Sequence, residues 1–456
     1  MKRTPYIRLV IAAMLGIGTS VAPLVLLMFG IIQFNIIRLV GQDSVTQIFG
    51  IAAGVASLAI VFLSPMGGYI ADHTYVKMGR RRFWILTGSI VACCFMFLFS
   101  RATNMIELTI YWILAQLFYG LVSTCCYSIV PEQVDQEKFG RVSGLIGAAT
   151  PVFVMLGSAV VMGTFAESSI SSKVMMIALA QVVCGIIATL LIQEEPSIKP
   201  DRLSEQTNDR QNKALDKKYI YPSIRRYPEY TWALLTKLFI NLTNAGMTML
   251  TLFYIARFHL DETHIFKLNA LMSIGIGLMV VSGLLGGFLS DKVKKQKPFV
   301  MGSAFITGIC MIAFAFSHDI TLVIIANFIF NFGFGMYNAV DVALINRILP
   351  SKENYAKDIS IMNVTTQISS SLVNFIAPSI IALGVYLLHD DGYTFFFLVL
   401  ALFSIASAVC VSPIPEAGRP LRTPRSLLHT QEINDFEQKE NLEIRETILS
   451  ENNKTA

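Results

Sequence analysis

Two acidic residues stand at matching places in the chain, each four residues after a glycine. Gly68 and Asp72 lie in Gly67-Gly68-Tyr69-Ile70-Ala71-Asp72-His73, and Gly287 and Asp291 in Gly286-Gly287-Phe288-Leu289-Ser290-Asp291-Lys292. That spacing stacks glycine and carboxylate on one face of a helix. A glycine lets a second helix come close, as at small-residue membrane interfaces. A carboxylate at a helix end can pair with a cation or with the positive N-terminus of another helix. Both copies run into basic loops, Lys77 with Arg80, Arg81 and Arg82, and Lys292 with Lys294, Lys295 and Lys297. The chemistry on offer is a charged clasp between helices. One copy alone could be a helix end followed by positive charges; two at matching positions indicate a repeat.

Other groups with chemical potential are few and lie in apolar surroundings. Asp341 falls inside an apolar run, where a carboxyl can carry a coupling proton or act as a further gate carboxylate facing a cation. Glu107 beside Arg101 reads as an interfacial residue, and Lys237 and Arg257 as snorkelling cations. Neutral amides are plentiful: Gln33, Asn35, Gln116, Gln181, Asn241, Asn244, Asn327, Asn331, Asn338 and Gln367. Asn241 and Asn244 are three apart and Asn327 and Asn331 four apart, so each pair shares a helix face. Amides both donate and accept, which suits the hydroxyls of a sugar or similar polyol, while Trp112 and Tyr119 could stack on a ring. Each amide could equally tie two helices together. No nucleophile–base pair, phosphate loop, cofactor motif or metal-ligand spacing appears. Gly16-Ile17-Gly18 and Gly333-Phe334-Gly335 lack a third glycine, and all seven cysteines lie in apolar runs. Neither an enzyme nor a cofactor is expected, and with no basic stripe among aromatics, no nucleic-acid partner.

The elements that must position these residues span a membrane. The chain is 54% hydrophobic with a mean hydropathy of +0.58. Its 15% of charged residues falls short of the roughly 25% of soluble domains. Runs of about 20 apolar residues fall at Ile7–Ile32, Ile48–Ile70, Phe83–Ser100, Leu108–Val130, Val142–Phe165 and Val174–Ile192. A second set falls at Tyr230–Ala256, Phe266–Leu289, Phe299–Phe316, Thr321–Ile345, Ile359–Leu387 and Tyr393–Val411. This divides the chain into a first six-helix bundle (1–192), a polar central loop (193–228), a second bundle (229–413) and a polar tail (414–456) expected to be disordered. The apolar start runs on too far for a signal peptide and reads as a retained helix. Lysines and arginines crowd the loops on one side, which predicts both termini in the cytoplasm. Gly16, Gly18, Thr19, Ser20 and Pro23 are expected to weaken the first helix as a gating hinge. Gly333 and Gly335 could do the same in the tenth.

The halves repeat each other beyond the clasp. Pro131-Glu132-Gln133-Val134-Asp135 with Phe139-Gly140-Arg141-Val142-Ser143-Gly144 precedes the fifth helix, and Leu349-Pro350-Ser351-Lys352-Glu353 with Ala356-Lys357-Asp358-Ile359-Ser360 precedes the eleventh. The paired Gly–Asp–basic loops in a six-plus-six chain resemble the major facilitator superfamily. The longer first loop, running from Asp72 through Gly79-Arg80-Arg81-Arg82-Phe83, resembles the glycoside–pentoside–hexuronide symporters and the sucrose-transporter-like proteins. Phe83 stands where those usually have proline.

That resemblance implies a carrier working by alternating access, with the solute between the halves near mid-bilayer. It implies a latch in which Asp72, with Gly68, Gly79, Arg80, Arg81, Arg82 and Glu132, meets the start of the eleventh helix near Asp358. Asp291, with Gly287, would meet the start of the fifth near Arg141. A charge on a helix end contributes about 0.3–2 kcal/mol, which suits a contact that must release. Sodium-coupled relatives carry carboxylates in the second helix before the clasp, and none stands there here, so the proton is the expected coupling ion. The expected cargo is a neutral polar solute such as a sugar or glycoside; the alternative is proton-driven efflux of drugs or lipid-like molecules through a Met- and Phe-rich cavity. The chain is expected to act as a monomer in the plasma membrane.

Overall fold

The computed structural model describes residues 4–134, 139–195, 228–293, 295–348 and 355–414. Twelve helices among them are long and apolar enough to cross a membrane. Most of the central loop, the tail beyond Ile414 and the Leu349-Pro350 corner lie outside the described residues. The helices are α1 (Tyr6–Val40), α2 (Val45–Asp72), α3 (Arg80–Arg101), α4 (Met105–Gln133), α5 (Phe139–Gly157, continued as Ser158–Thr164), α6 (Ile170–Leu191), α7 (Pro228–Phe258), α8 (Glu262–Met272 and Ile274–Val293), α9 (Lys297–Phe316), α10 (Ile320–Ile348), α11 (Tyr355–Leu388) and α12 (Tyr393–Val411). Lipid cannot satisfy backbone groups, so helices that close their own hydrogen bonds are the expected solution. Exposed apolar side chains such as Phe62, Leu190, Leu284 and Leu402 form the belt that lipid would cover.

The first six helices and the last six form two bundles. In the first, α1 packs on α4, α5 and α6, and α3 on α4 and α6. In the second, α9 packs on α10 and α12, and α7 on α11 and α12. Small hydroxyls fasten neighbours to each other: Ser404 Oγ donates to Ala304 O at 2.7 Å and Ser407 Oγ to Thr236 O at 2.9 Å.

Between the bundles, α2 lies along α11 and α5 meets α8. The joining bonds sit toward the end away from the basic loops, called here the far end. Ser371 Oγ donates to Gly54 O at 3.0 Å, Asn269 Nδ2 to Phe29 O at 2.9 Å and Gln33 Nε2 to Thr248 O at 3.4 Å. A Cβ at Gly50 would lie 2.6 Å from Asn374 O, so only glycine allows that approach. At the same end, Phe266 of α8 is held between Phe34 (centroids 5.5 Å apart) and the ammonium of Lys173 (4.3 Å).

Several positions depart from the sequence expectation. The first helix does not weaken at Gly16, Gly18 or Pro23; Tyr6–Leu26 is continuous through them. Gly16 and Gly18 are packing positions, where a Cβ would come within 2.3 Å of Cys126 Sγ and 2.2 Å of Phe153. The irregular turn comes later, at Leu27–Ile31, a kink in which Phe29 (ψ 29°) and Gly30 (φ 115°) leave helical geometry. Beyond it the helix continues to Val40, past the expected Ile32. Helix α10 is likewise unbroken at Gly333 and Gly335. Of the clasp glycines, Gly67 and Gly286 make the close approaches, to Leu121 and Met336, while Gly68 and Gly287 face open space.

A Cβ at Gly335 would fall 2.1 Å from the Met279 carbonyl oxygen. Gly335→Ala should therefore lower the thermal unfolding midpoint of the purified protein, by the equivalent of about 1–3 kcal/mol for overpacking. Gly302→Ala, with nothing within 4 Å, should leave it unchanged; equal midpoints would mean that α8 and α10 slide freely past each other.

Candidate functional site

Two groups of polar residues stand out, one at the basic end of the first bundle and one along the inner helices of the second. The first is built on the turn between α2 and α3. Gly79 caps α3 with φ 93°, a conformation that favours glycine. A helix start leaves backbone N–H groups without partners. Here the Glu194 carboxylate fills that need, accepting from Arg81 N at 3.0 Å and Arg82 N at 3.0 Å. A negative charge there also meets the positive helix end.

Arg81 is the hub. Its side chain is 7% exposed, and its guanidinium reaches Asp72 Oδ1 at 2.8 Å and Glu132 Oε1 at 2.9 Å. Arg80 adds a contact to Glu132 at 3.2 Å and donates to the Asp72 carbonyl oxygen at 3.4 Å. Arg82 donates to Thr189 O at 3.0 Å. The cluster thus pins the ends of α2, α3, α4 and α6 together within one bundle. Asp72, expected against the start of α11, has Arg81 of its own bundle as its partner here. The side chains of Arg141, Asp291 and Asp358 lie outside the described residues. Sequence reasoning misses Glu194, because nothing in local spacing ties a residue after the sixth helix to the start of the third.

The second group runs along α7, α10 and α11. Asp341 is buried, with Lys237 Nζ 3.9 Å from Oδ2 and the Tyr337 hydroxyl donating to Oδ1 at 3.4 Å. Lys237, expected to snorkel to the surface, instead keeps a side chain only 16% exposed and points at Asp341. On the same bundle Asn241 Nδ2 donates to Thr366 Oγ1 at 3.3 Å, and Asn331 Nδ2 donates to both Asn327 oxygens at 2.9 and 3.0 Å. Asn244 is half-buried, and Asn338 and Gln367 are exposed. In the first bundle Gln116 is half-buried, but Trp112 and Tyr119 are enclosed by the core, at 1% and 0% exposure. Their rings offer no face to a solute in this structure.

Arg257, also expected to snorkel, is locked instead. Asp391 takes two charge-assisted bonds from it, both 2.6 Å, and Ala315 O and Thr394 Oγ1 each accept at 2.8 Å. Glu107 is an exposed helix-start residue that accepts from Thr103. Among the described residues no group of three or more His, Cys, Asp or Glu is placed to hold a metal ion.

Two helical bundles meeting along a seam, with buried ionisable groups on the inner helices, define a membrane carrier. The sequence matches the Major Facilitator Superfamily over residues 8–374, and the chain belongs to that superfamily. No curated protein sequence matches it. Solved structures that share the fold include a D-xylose–proton symporter (13% identity, TM-score 0.65, covering 91% of this chain and 98% of that one). The nucleoside transporter NupG, solved as a point mutant, is similar at 13% identity and TM-score 0.65, over 90% and 99% of the two chains. The inward-open xylose transporter XylE from E. coli is similar at 13% and 0.63, over 92% and 98%.

Removing one partner of a buried pair strands the other, at about 3–5 kcal/mol. Lys237→Met and Asp341→Asn should each lower the thermal unfolding midpoint, and the double variant should recover most of the loss. Additive losses would show that the two side chains do not depend on each other.

Proposed function

We propose that the protein is a secondary active transporter that works by alternating access, moves a neutral polar solute such as a sugar or glycoside, and couples this movement to protons through Asp341. The observation that carries the reading is the buried Asp341, paired loosely at 3.9 Å with Lys237 on the bundle that also bears the amides of α7 and α10. A direct hydrogen bond would be nearer about 2.8 Å. Protonation of the carboxyl removes its charge and frees Lys237, so proton binding can change how α7 and α10 hold together. Asn241, Asn244, Asn331, Asn338 and Gln367 supply donors and acceptors for hydroxyl groups.

The latch reading has its own support. Gly68 and Gly287 face open space while the far end of the seam is joined. Glycines at these places would allow close approach when the basic ends come together. In the state described here the carrier is closed at its far end, and Arg81 holds Asp72 within its own bundle. The basic end is read as the cytoplasmic one, from the loop charges. Similarity of the longer Asp72–Arg82 loop to glycoside symporters, and a fold shared with proteins described as xylose and nucleoside transporters, favour a polar cargo over a lipophilic one.

Purified protein in vesicles with an imposed proton gradient should accumulate a labelled saccharide from a screened panel, and a protonophore should abolish the accumulation. Asp341→Asn should lose accumulation and keep solute exchange; retained accumulation would move Asp341 from coupling to a purely structural role. Asn241→Ala and Asn331→Ala should raise the half-saturating solute concentration by about tenfold, the equivalent of about 1.4 kcal/mol. Gradient-driven movement of a lipophilic dye with no saccharide transported would favour efflux instead.

A further inference from the structure

The first bundle contains a recess away from the seam. Helices α5 and α6 diverge over α1 and leave a cavity of about 450 Å³, lined by Pro23, Leu26, Leu156, Val160, Met176 and Gln181. It opens on the lipid-facing side: Leu156 is 57% exposed and Val160 46%, while Leu179 and Val183, on the neighbouring strip of α6, are exposed by more than half. Its size falls in the range of small-molecule sites, about 300–1,000 Å³.

The exposed walls are apolar, and an unsatisfied polar atom lies sealed just beneath them. Gln181 is fully buried, and its carbonyl oxygen Oε1 has no hydrogen-bond partner. The orientation of this amide follows from its neighbour. Ser89 Oγ donates to Ile85 O at 2.7 Å, so its remaining capacity toward Gln181 is as an acceptor. The Gln181 Nε2 group must therefore face it, at 3.1 Å, which leaves the carbonyl oxygen free. The hydroxyl at the recess is already occupied. Thr19 Oγ1 donates to Leu15 O at 2.6 Å. A buried acceptor without a partner costs about 1–3 kcal/mol, so a donor that enters the recess and displaces the lining side chains covering Oε1 would relieve it.

Depth restricts what that donor can be. Gln181 sits eleven residues from the start of α6 at Ile170, or about 16 Å along the helix at about 1.5 Å per residue. That is close to the middle of a hydrocarbon core about 30 Å thick. A phospholipid headgroup stays at the interface and does not reach this depth. We infer that the recess between α5 and α6 binds a bilayer-dissolved, mostly apolar small molecule carrying a hydroxyl, as a phenol or compact alcohol does, with the hydroxyl donating to Gln181 Oε1. The site is separate from the amides of α7 and α10 and does not depend on the cargo assigned above.

A 2,6-dialkylphenol bearing a photoactivatable diazirine, and its O-methyl ether as a partner lacking the donor, test this on the full-length protein in lipid vesicles. After irradiation, peptides from α5 and α6 should carry about five times more label from the phenol than from the ether. Excess unlabelled phenol should remove the difference. Gln181→Met should bring phenol labelling down to the ether level. Ala180→Trp, which fills the recess and leaves the amide intact, should abolish labelling by both probes while the thermal midpoint stays put, and it serves if Gln181→Met fails to fold. Equal labelling of the unmodified protein by phenol and ether, or label spread evenly over all lipid-facing helices, would overturn the inference.

Discussion

Lipid offers neither hydrogen-bond partners nor a hydrophobic drive to push helices together, so each helix contact in this protein must come from close packing or from polar groups that find each other. The seam between the bundles follows that constraint closely. It is made where side chains are missing or small: Gly50 against Asn374, Gly54 under Phe375 and accepting from Ser371, Ser57 beside Ser370. Large rings take part as well, since Phe375 lies on Gly54 and Phe34 meets Phe266 across the seam. Small residues at such a seam let two helices approach to backbone distance, where a hydroxyl can reach a main-chain oxygen.

The buried charges obey the same constraint and divide into two kinds. Arg257 is saturated by a bidentate carboxylate, main-chain carbonyls and a hydroxyl, and Lys173 by the carbonyls of Ala166 and Ser168 together with the face of Phe266. Both are fixed points at the far end. Asp341 is different, because its cation stands off at 3.9 Å and its other partner is a single hydroxyl at 3.4 Å. A carboxylate so loosely satisfied responds readily when its surroundings change, and the fully bonded Arg257 does not.

Much of the architecture is legible in the residues alone. Twelve apolar runs, the six-plus-six division and the doubled Gly–Asp–basic stretch all follow from hydropathy and spacing, since these are local or repeated signals. What stays hidden depends on partners distant in sequence. Glu194 caps a helix more than a hundred residues earlier. Lys237 and Arg257 read as cations on their way to water until Asp341 and Asp391 are brought beside them. Trp112 and Tyr119 read as available for stacking, yet the bundle encloses both. Glycines are the most ambiguous letters. Within a membrane helix the same residue permits bending or close approach, and Gly16, Gly18, Gly333 and Gly335 serve approach.

The kink at Leu27–Ile31, where Phe29 and Gly30 leave helical dihedrals, has a geometric effect on everything beyond it. It re-aims the rest of α1, so the stretches before and after address different neighbours. Below the turn, Gly16 and Gly18 nestle against Cys126 and Phe153 of their own bundle; above it, Gln33 and Phe34 reach across to Thr248 and Phe266. The kink also interrupts the regular carbonyl ladder, and Phe29 O accepts from Asn269 Nδ2 of the other bundle. A single helix is thereby loyal to two partners, and restoring its regular winding would withdraw the handhold by which the second bundle grips the first.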